Sequence, residues 1–322
     1  MKPFFRRILP WLAYPAFALF CVFLFAYFTF PYDHVRSFII QEVERPMGPG
    51  GERRASGYHL EIDDLSPSWL TGIDLEGVRF SKDSDDPEKR PTVTNIDELS
   101  ARVSLWGLLM GDTDISFEVT IGDGTIEGEF ESSEEQTHIE TDFTDVDLHR
   151  LGYLADAIGI PVSGKLAGHI DVVIAKENAN TQGEIALTIA RFTLGAAGAK
   201  IAGFTVGRIQ AGDLTLSATV DRGTARINRF ASNGQDISLR IGGTIRLLQP
   251  IQTSSFDLLL NAKFSDAFKT RDDRTRAIFS MVDLNPQLQQ ARTPDGAMQW
   301  QLQFSPTRPI RYSGAGRMPA PR

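Results

Sequence analysis

The side chains in this chain that could do chemistry are five histidines, one cysteine and a long run of carboxylates. Their spacing suits no common reaction. His34, His59, His138, His149 and His169 stand far apart, and neither H-x-x-x-H nor H-E-x-x-H occurs to seat a catalytic zinc. No G-x-S-x-G elbow presents a nucleophilic serine, no P-loop is there to cradle phosphate, and no G-x-G-x-x-G joins a strand to a helix. Asp83-Ser84-Asp85-Asp86 opens like a calcium loop, but Glu88 stands where that loop needs glycine and Thr94 where it needs glutamate. His169, beside Ile170, falls on the outward phase of its strand and is read as a solvated histidine rather than a ligand. The expectation is a protein that is not an enzyme and uses no cofactor and no metal.

Residues 112–149 hold thirteen carboxylates and no Lys or Arg. The main reading is the solvated face of acidic strands, with a divalent ion or a basic partner as the alternative. Cys21 is the single cysteine, so the rest of the chain has no disulfide.

The elements that position these residues begin with residues 8–32, 25 residues without a charge. A helix of that length crosses a bilayer core of about 30 Å. Lys2, Arg6 and Arg7 precede it and Asp33 follows, which puts residues 1–7 in the cytoplasm and the bulk of the chain across the membrane. A cleaved signal peptide is the rival reading, disfavoured by the length of the run and the lack of an A-x-A-like site. Of the 33 Lys and Arg, three precede the run, so the exported part carries −11 and is a poor fit to nucleic acid.

Residues 33–57 are expected as a short juxtamembrane helix (Val35, Phe38, Ile39 and Val43 at helical spacing) that Pro46 stops, followed by a Gly/Pro/Arg linker. From 58 to 304 the pattern is strand after strand, apolar on one face and polar on the other. The inward set includes Leu166, Ile170, Val172, Leu214, Leu216, Ile237, Leu239, Ile241, Ile245, Leu258 and Leu260. Recurrent glycines, as in Gly164-Lys-Leu-Ala-Gly168 and Gly242-Gly243-Thr-Ile, are read as starting or bending strands just after turns. Trp69, Trp106 and Trp300 adjoin apolar neighbours and are read as core or interface packing. Residues 305–322, rich in Pro, Gly and Arg, are expected as a flexible tail.

The pattern therefore predicts a mainly β fold: an N-terminal transmembrane helix, then a long, strongly curled antiparallel sheet of some thirteen strands with two or three short helices. The helices expected are one near Leu148, Leu151, Leu154 and Ile158 with Asp147 as N-cap, and one over Ala267–Leu284. So few helices cannot cover the apolar face. Either the sheet folds onto itself as a sandwich or barrel, or it curls into a trough whose apolar floor holds lipid or a partner.

A resemblance bears on that choice. The anchor, the segment Asp147-Leu-His-Arg-Leu-Gly-Tyr-Leu, the stretch Ile160-Pro-Val-Ser-Gly-Lys-Leu-Ala-Gly-His-Ile-Asp, and the later Gly207-Arg-Ile-Gln-Ala-Gly-Asp-Leu and Phe230-Ala-Ser-Asn-Gly-Gln-Asp-Ile resemble the type II secretion system protein N (GspN) family. The same helix followed by Gly-x-Leu-x-Gly is similar to AsmA-like envelope proteins. The first resemblance implies a non-catalytic accessory of the bacterial inner membrane, with its sheet in the periplasm and other type II secretion components as partners. The second implies an anchored sheet that binds or transfers phospholipid.

Overall fold

The computed structural model describes residues 32–46, 52–53, 55–68, 71–82, 92–152, 154, 160–195, 199–201, 204–247, 254–284, 289–305 and 308–314, with Tyr14, Phe17, Ala18, Cys21 and Phe25. Among them no helix is long and apolar enough to cross a membrane. The expected anchor over residues 8–32 lies mostly outside the described residues, as do residues 83–91 and 315–322.

Period-two alternation becomes antiparallel strand throughout. In order these are β1 (Tyr58–Glu61), β2 (Asp64–Ser68), β3 (Gly72–Lys82), β4 (Thr92–Val103), β5 (Thr113–Ile121), β6 (Gly124–Ser132), β7 (Gln136–Asp147), β8 (Val162–Ala175) and β9 (Gln182–Leu194). Then come the small hairpin β10 (Ala199–Ile201) and β11 (Phe204–Val206), followed by β12 (Ile209–Asp221), β13 (Thr224–Asn233), β14 (Ile237–Arg246), β15 (Ser255–Phe264), β16 (Met298–Ser305) and β17 (Arg308–Gly314).

All but the hairpin form one fifteen-stranded sheet in the order β1-β3-β4-β5-β6-β7-β8-β9-β12-β13-β14-β15-β16-β17, with β2 also paired to β3. The sheet is an open meander: it does not close on itself, and among the described residues no second large sheet faces it. Register shifts at Phe143/Val146, Ser163/Lys165, Ser217/Ala218 and Ile227/Ala231 bend it further than strand twist alone would.

Among the described residues the helices are α1 (Tyr32–Glu44), α2 (Leu105–Met110), α3 (Asp266–Lys269) and α4 (Asp273–Leu284), with 3-10 turns at Leu148–Arg150 and Asn178–Asn180; the expected helix position Ile158 lies outside the described residues. Asp147 caps the first of these turns as expected, accepting the His149 N–H at 3.0 Å. The helix expected over Ala267–Leu284 is two helices, because Thr270, Arg271 and Asp272 break it.

Three further expectations need correction. Arg308–Gly314, read as tail, is the edge strand β17, where Pro309 and two arginines suit a strand with one unpaired side. The segment after β4, which lies in the stretch read as strand after strand, turns into α2. The glycines Gly168 and Gly243 sit in mid-strand rather than at strand starts. At Gly168, φ is +141° and a Cβ would lie 2.1 Å from the Ala186 carbonyl oxygen. Only glycine permits that approach.

Candidate functional site

The register lines the apolar side chains up in rows that cross the strands. One row runs from Ile73 through Phe117, Thr141, Ile170, Ile185, Ala218, Ile227 and Leu258 to Leu302. The row beside it passes through Leu99, Val119, Ile126, Phe143, Leu187, Leu216 and Phe230. Beyond the bulge in β13 the second row is continued by Ile241, Leu260 and Trp300. The first row crosses twelve strands, which at about 4.8 Å apart make it roughly 50 Å long. Several rows side by side make one face of the sheet apolar along its length, its side chains ranging from half-buried to buried.

This face is covered in three places. α1 lays Ile39, Ile40 and Val43 on Leu60, Ile62, Leu75 and Val78. At one end of the strands Leu148, Leu151 and Phe268, brought by the 3-10 turn and α3, bury Val146, Val162, Leu214, Ile237 and Ala262. Phe264, Phe268 and Phe279 form an aromatic trio there, with ring centroids 5.1 to 6.0 Å apart. At the other end Val172, Ile174, Val220 and Ala225 make a small cluster of their own.

Of the eleven sequence-predicted residues, Val172, Leu214 and Ile237 are buried and the other eight are half-buried. Leu166 and Leu239 pack against the first end cluster, Ile170 and Ile245 against the second. Leu216, Ile241, Leu258 and Leu260 belong to neither cluster and are half-buried. Sequence reasoning missed Ser232, which sits in the row between Leu214 and Leu239; its hydroxyl is buried and has no hydrogen-bond partner among the described residues. A lone serine in an alternating strand carries no signal of that burial.

The opposite face is polar and, over β5 to β9, acidic. Glu118 opposes Glu127, Glu129 opposes Glu140, and Asp171 stands between Glu140 and Glu184, like charges that repel across the strands. Two histidines lie among them. His169 Nδ1 lies 2.8 Å from Asp142 Oδ1, and His138 Nε2 lies 2.9 Å from Asp171 Oδ1. The Asp142 hydrogen bond raises the pKa of His169, and the Asp171 hydrogen bond raises that of His138, burial opposing in both cases. His169 is therefore paired rather than merely solvated.

Glu140, Asp142 and His169 each bring one ligand atom within 4.8 Å of the others. Asp142 and His169 share a hydrogen bond there, with Glu140 beside them as a second negative charge. Trp300 packs against the capped end, whereas Trp106 stands largely exposed. Comparison with family models, with curated proteins and with solved structures finds no match for this chain.

Proposed function

We propose that this chain is a non-catalytic, membrane-anchored envelope protein whose curled sheet is a trough for lipid acyl chains, with residues 8–32 as the anchor and the sheet in the periplasm. One observation supports this above the others: Leu216, Ile241, Leu258 and Leu260 keep water-exposed surface in the middle of a long apolar face. Exposed apolar area costs roughly 25 cal/mol per Å², so a face this large favours an apolar occupant. A lone sheet with rows of roughly 50 Å holds a few lipids and does not span the space between two membranes. Native mass spectrometry of the full-length protein in a mild detergent should show co-purifying phospholipid. A protein that is lipid-free after gentle extraction, and takes up none from added vesicles, would sink the proposal.

A second reading is service to a type II secretion apparatus as an inner-membrane assembly component. It draws on the resemblance of segments 147–154 and 160–171, of which Leu148, Leu151, Val162 and Leu166 belong to the capped end of the sheet. In that case an apolar segment of another secretion component occupies the trough. Cross-linking in intact cells separates the two, since recovery of secretion proteins favours this reading and recovery of lipid alone favours the first.

A further inference from the structure

α2 is a six-residue helix, Leu-Trp-Gly-Leu-Leu-Met, and four of its apolar side chains are exposed. Leu105, Trp106, Leu109 and Met110 are between 55% and 77% exposed. Such side chains at i, i+1, i+4 and i+5 share one helix face. Gly107 occupies the underside, where a Cβ would lie 3.2 Å from Asp114 Cβ, and so holds the helix close to β5.

The element is firmly built. The Ser104 hydroxyl accepts the Gly107 N–H at the N-terminus, and the Asp112 N–H donates to the Gly107 carbonyl at 2.9 Å beyond the C-terminus. Gly111, at φ +91°, takes the left-handed position that ends many helices. An apolar knob on a doubly capped helix is a presented surface rather than a loose loop.

Its place in the fold identifies what it faces. α1 runs antiparallel to β1, because Arg36 donates to the Ile62 carbonyl near one end and the Ser56 hydroxyl donates to the Val43 carbonyl at 2.7 Å near the other. The N-terminus of α1, where the uncharged stretch enters, therefore points along β2 toward Ser68. Ser68 pairs with Gly72, Gly72 with Arg102, and the next strand residue, Val103, leads into α2. α2 thus lies about 20 Å beyond the Ile62 level, in the direction in which the N-terminus of α1 points. Its charged neighbours are Arg102, Asp112 and Asp114, too mixed to draw it to an anionic surface. A Trp-bearing, uncharged knob beside a membrane entry point matches the bilayer interface.

We propose that α2 inserts Leu105, Trp106, Leu109 and Met110 into the interface of the bilayer that holds the N-terminal stretch, giving the sheet a second membrane contact and fixing its tilt. This rests on the anchored reading above, and the test separates the two. Full-length protein carrying C21S and L109C, labelled with an environment-sensitive dye, is reconstituted into phosphatidylcholine vesicles and compared with C21S/D123C. Asp123 lies in the turn at the far end of β5, about 30 Å away.

The dye at 109 should emit further to the blue, be quenched by nitroxide lipids, and be roughly tenfold less open to iodide than the dye at 123. High salt should leave these readings unchanged, since no charge drives the contact. Equal iodide access at 109 and 123 overturns the insertion while vesicle flotation of the protein leaves the anchor standing. Shielding at 109 that ignores nitroxide lipids and disappears on dilution assigns the knob to a second copy of the chain and also overturns it. Failure to float with vesicles overturns both the anchor and the insertion.

Discussion

At the scale of single residues, the acidic face makes the two paired histidines responsive to pH. His138 faces Asp171 on β8 and Glu131 on β6; His169 faces Asp142 and Glu140 on β7, with Asp171 on its own strand. Hydrogen bonds to Asp171 and Asp142 hold both pKa values above the ordinary 6.5, so the folded state binds protons more tightly than the unfolded chain. Their stabilisation is complete below about 6.5 and is lost as pH rises through the raised values. Melting temperature should fall between pH 6 and pH 8, and the H138Q/H169Q double variant should flatten that slope. A slope unchanged in the variant would assign the pH dependence elsewhere. Gly168 makes the sharper mutational prediction, because the Ala186 oxygen occupies the space of any Cβ. G168A should cost on the order of 2–3 kcal/mol in chemical denaturation, and a loss below half that would mean β8 and β9 can separate without penalty.

At the scale of elements, legibility in the sequence followed locality. β12, β14 and β15 were readable because Leu214, Ile237, Leu258 and their alternating neighbours carry the period within one strand. α2 was not readable, since six apolar residues fit the end of a strand as well as a helix, and its caps, Ser104 and Gly111, act only once β4 and β5 pair. β17 was hidden by composition, as Pro309 and the arginines that suit an edge strand also suit a tail. The end cap was half readable: Asp147 and Leu148 were legible, but the placement of Phe268 against Phe264 and Phe279 depends on a chain reversal that no local pattern records. Phe268 is 3% exposed, and F268A should cost about 3–5 kcal/mol, the usual range for a buried phenylalanine. If denaturant titration finds under 1 kcal/mol, α3 is not holding the end of the sheet.

At the scale of the whole molecule, the eleven apolar residues were legible as one face, but how much of it stays uncovered was not, since that depends on where α1, α3 and the 3-10 turn land. Half-burial also separates a trough from a sandwich by mutation. In a closed core a carboxylate at Leu216 or Leu258 would be desolvated without a partner and would unfold the protein. On an open floor the L216E/L258E variant should stay folded by circular dichroism and lose co-purifying lipid; unfolding of the variant would return the face to the core.

The meander has another consequence, for how such a chain can change length. Each strand of the main sheet pairs with the strands that neighbour it in sequence, apart from the β10–β11 hairpin set between β9 and β12 and from β1, which skips β2 and pairs with β3. No strand is threaded between partners distant in the chain, so a hairpin gained or lost alters one joint and leaves the other pairings intact. Cooperativity then decays along the sheet much as in repeat arrays, and folding can spread from any local hairpin outward. Length becomes a quantity that duplication can tune in steps of two strands, about 10 Å at a time, with both ends free to be fitted to whatever they must reach.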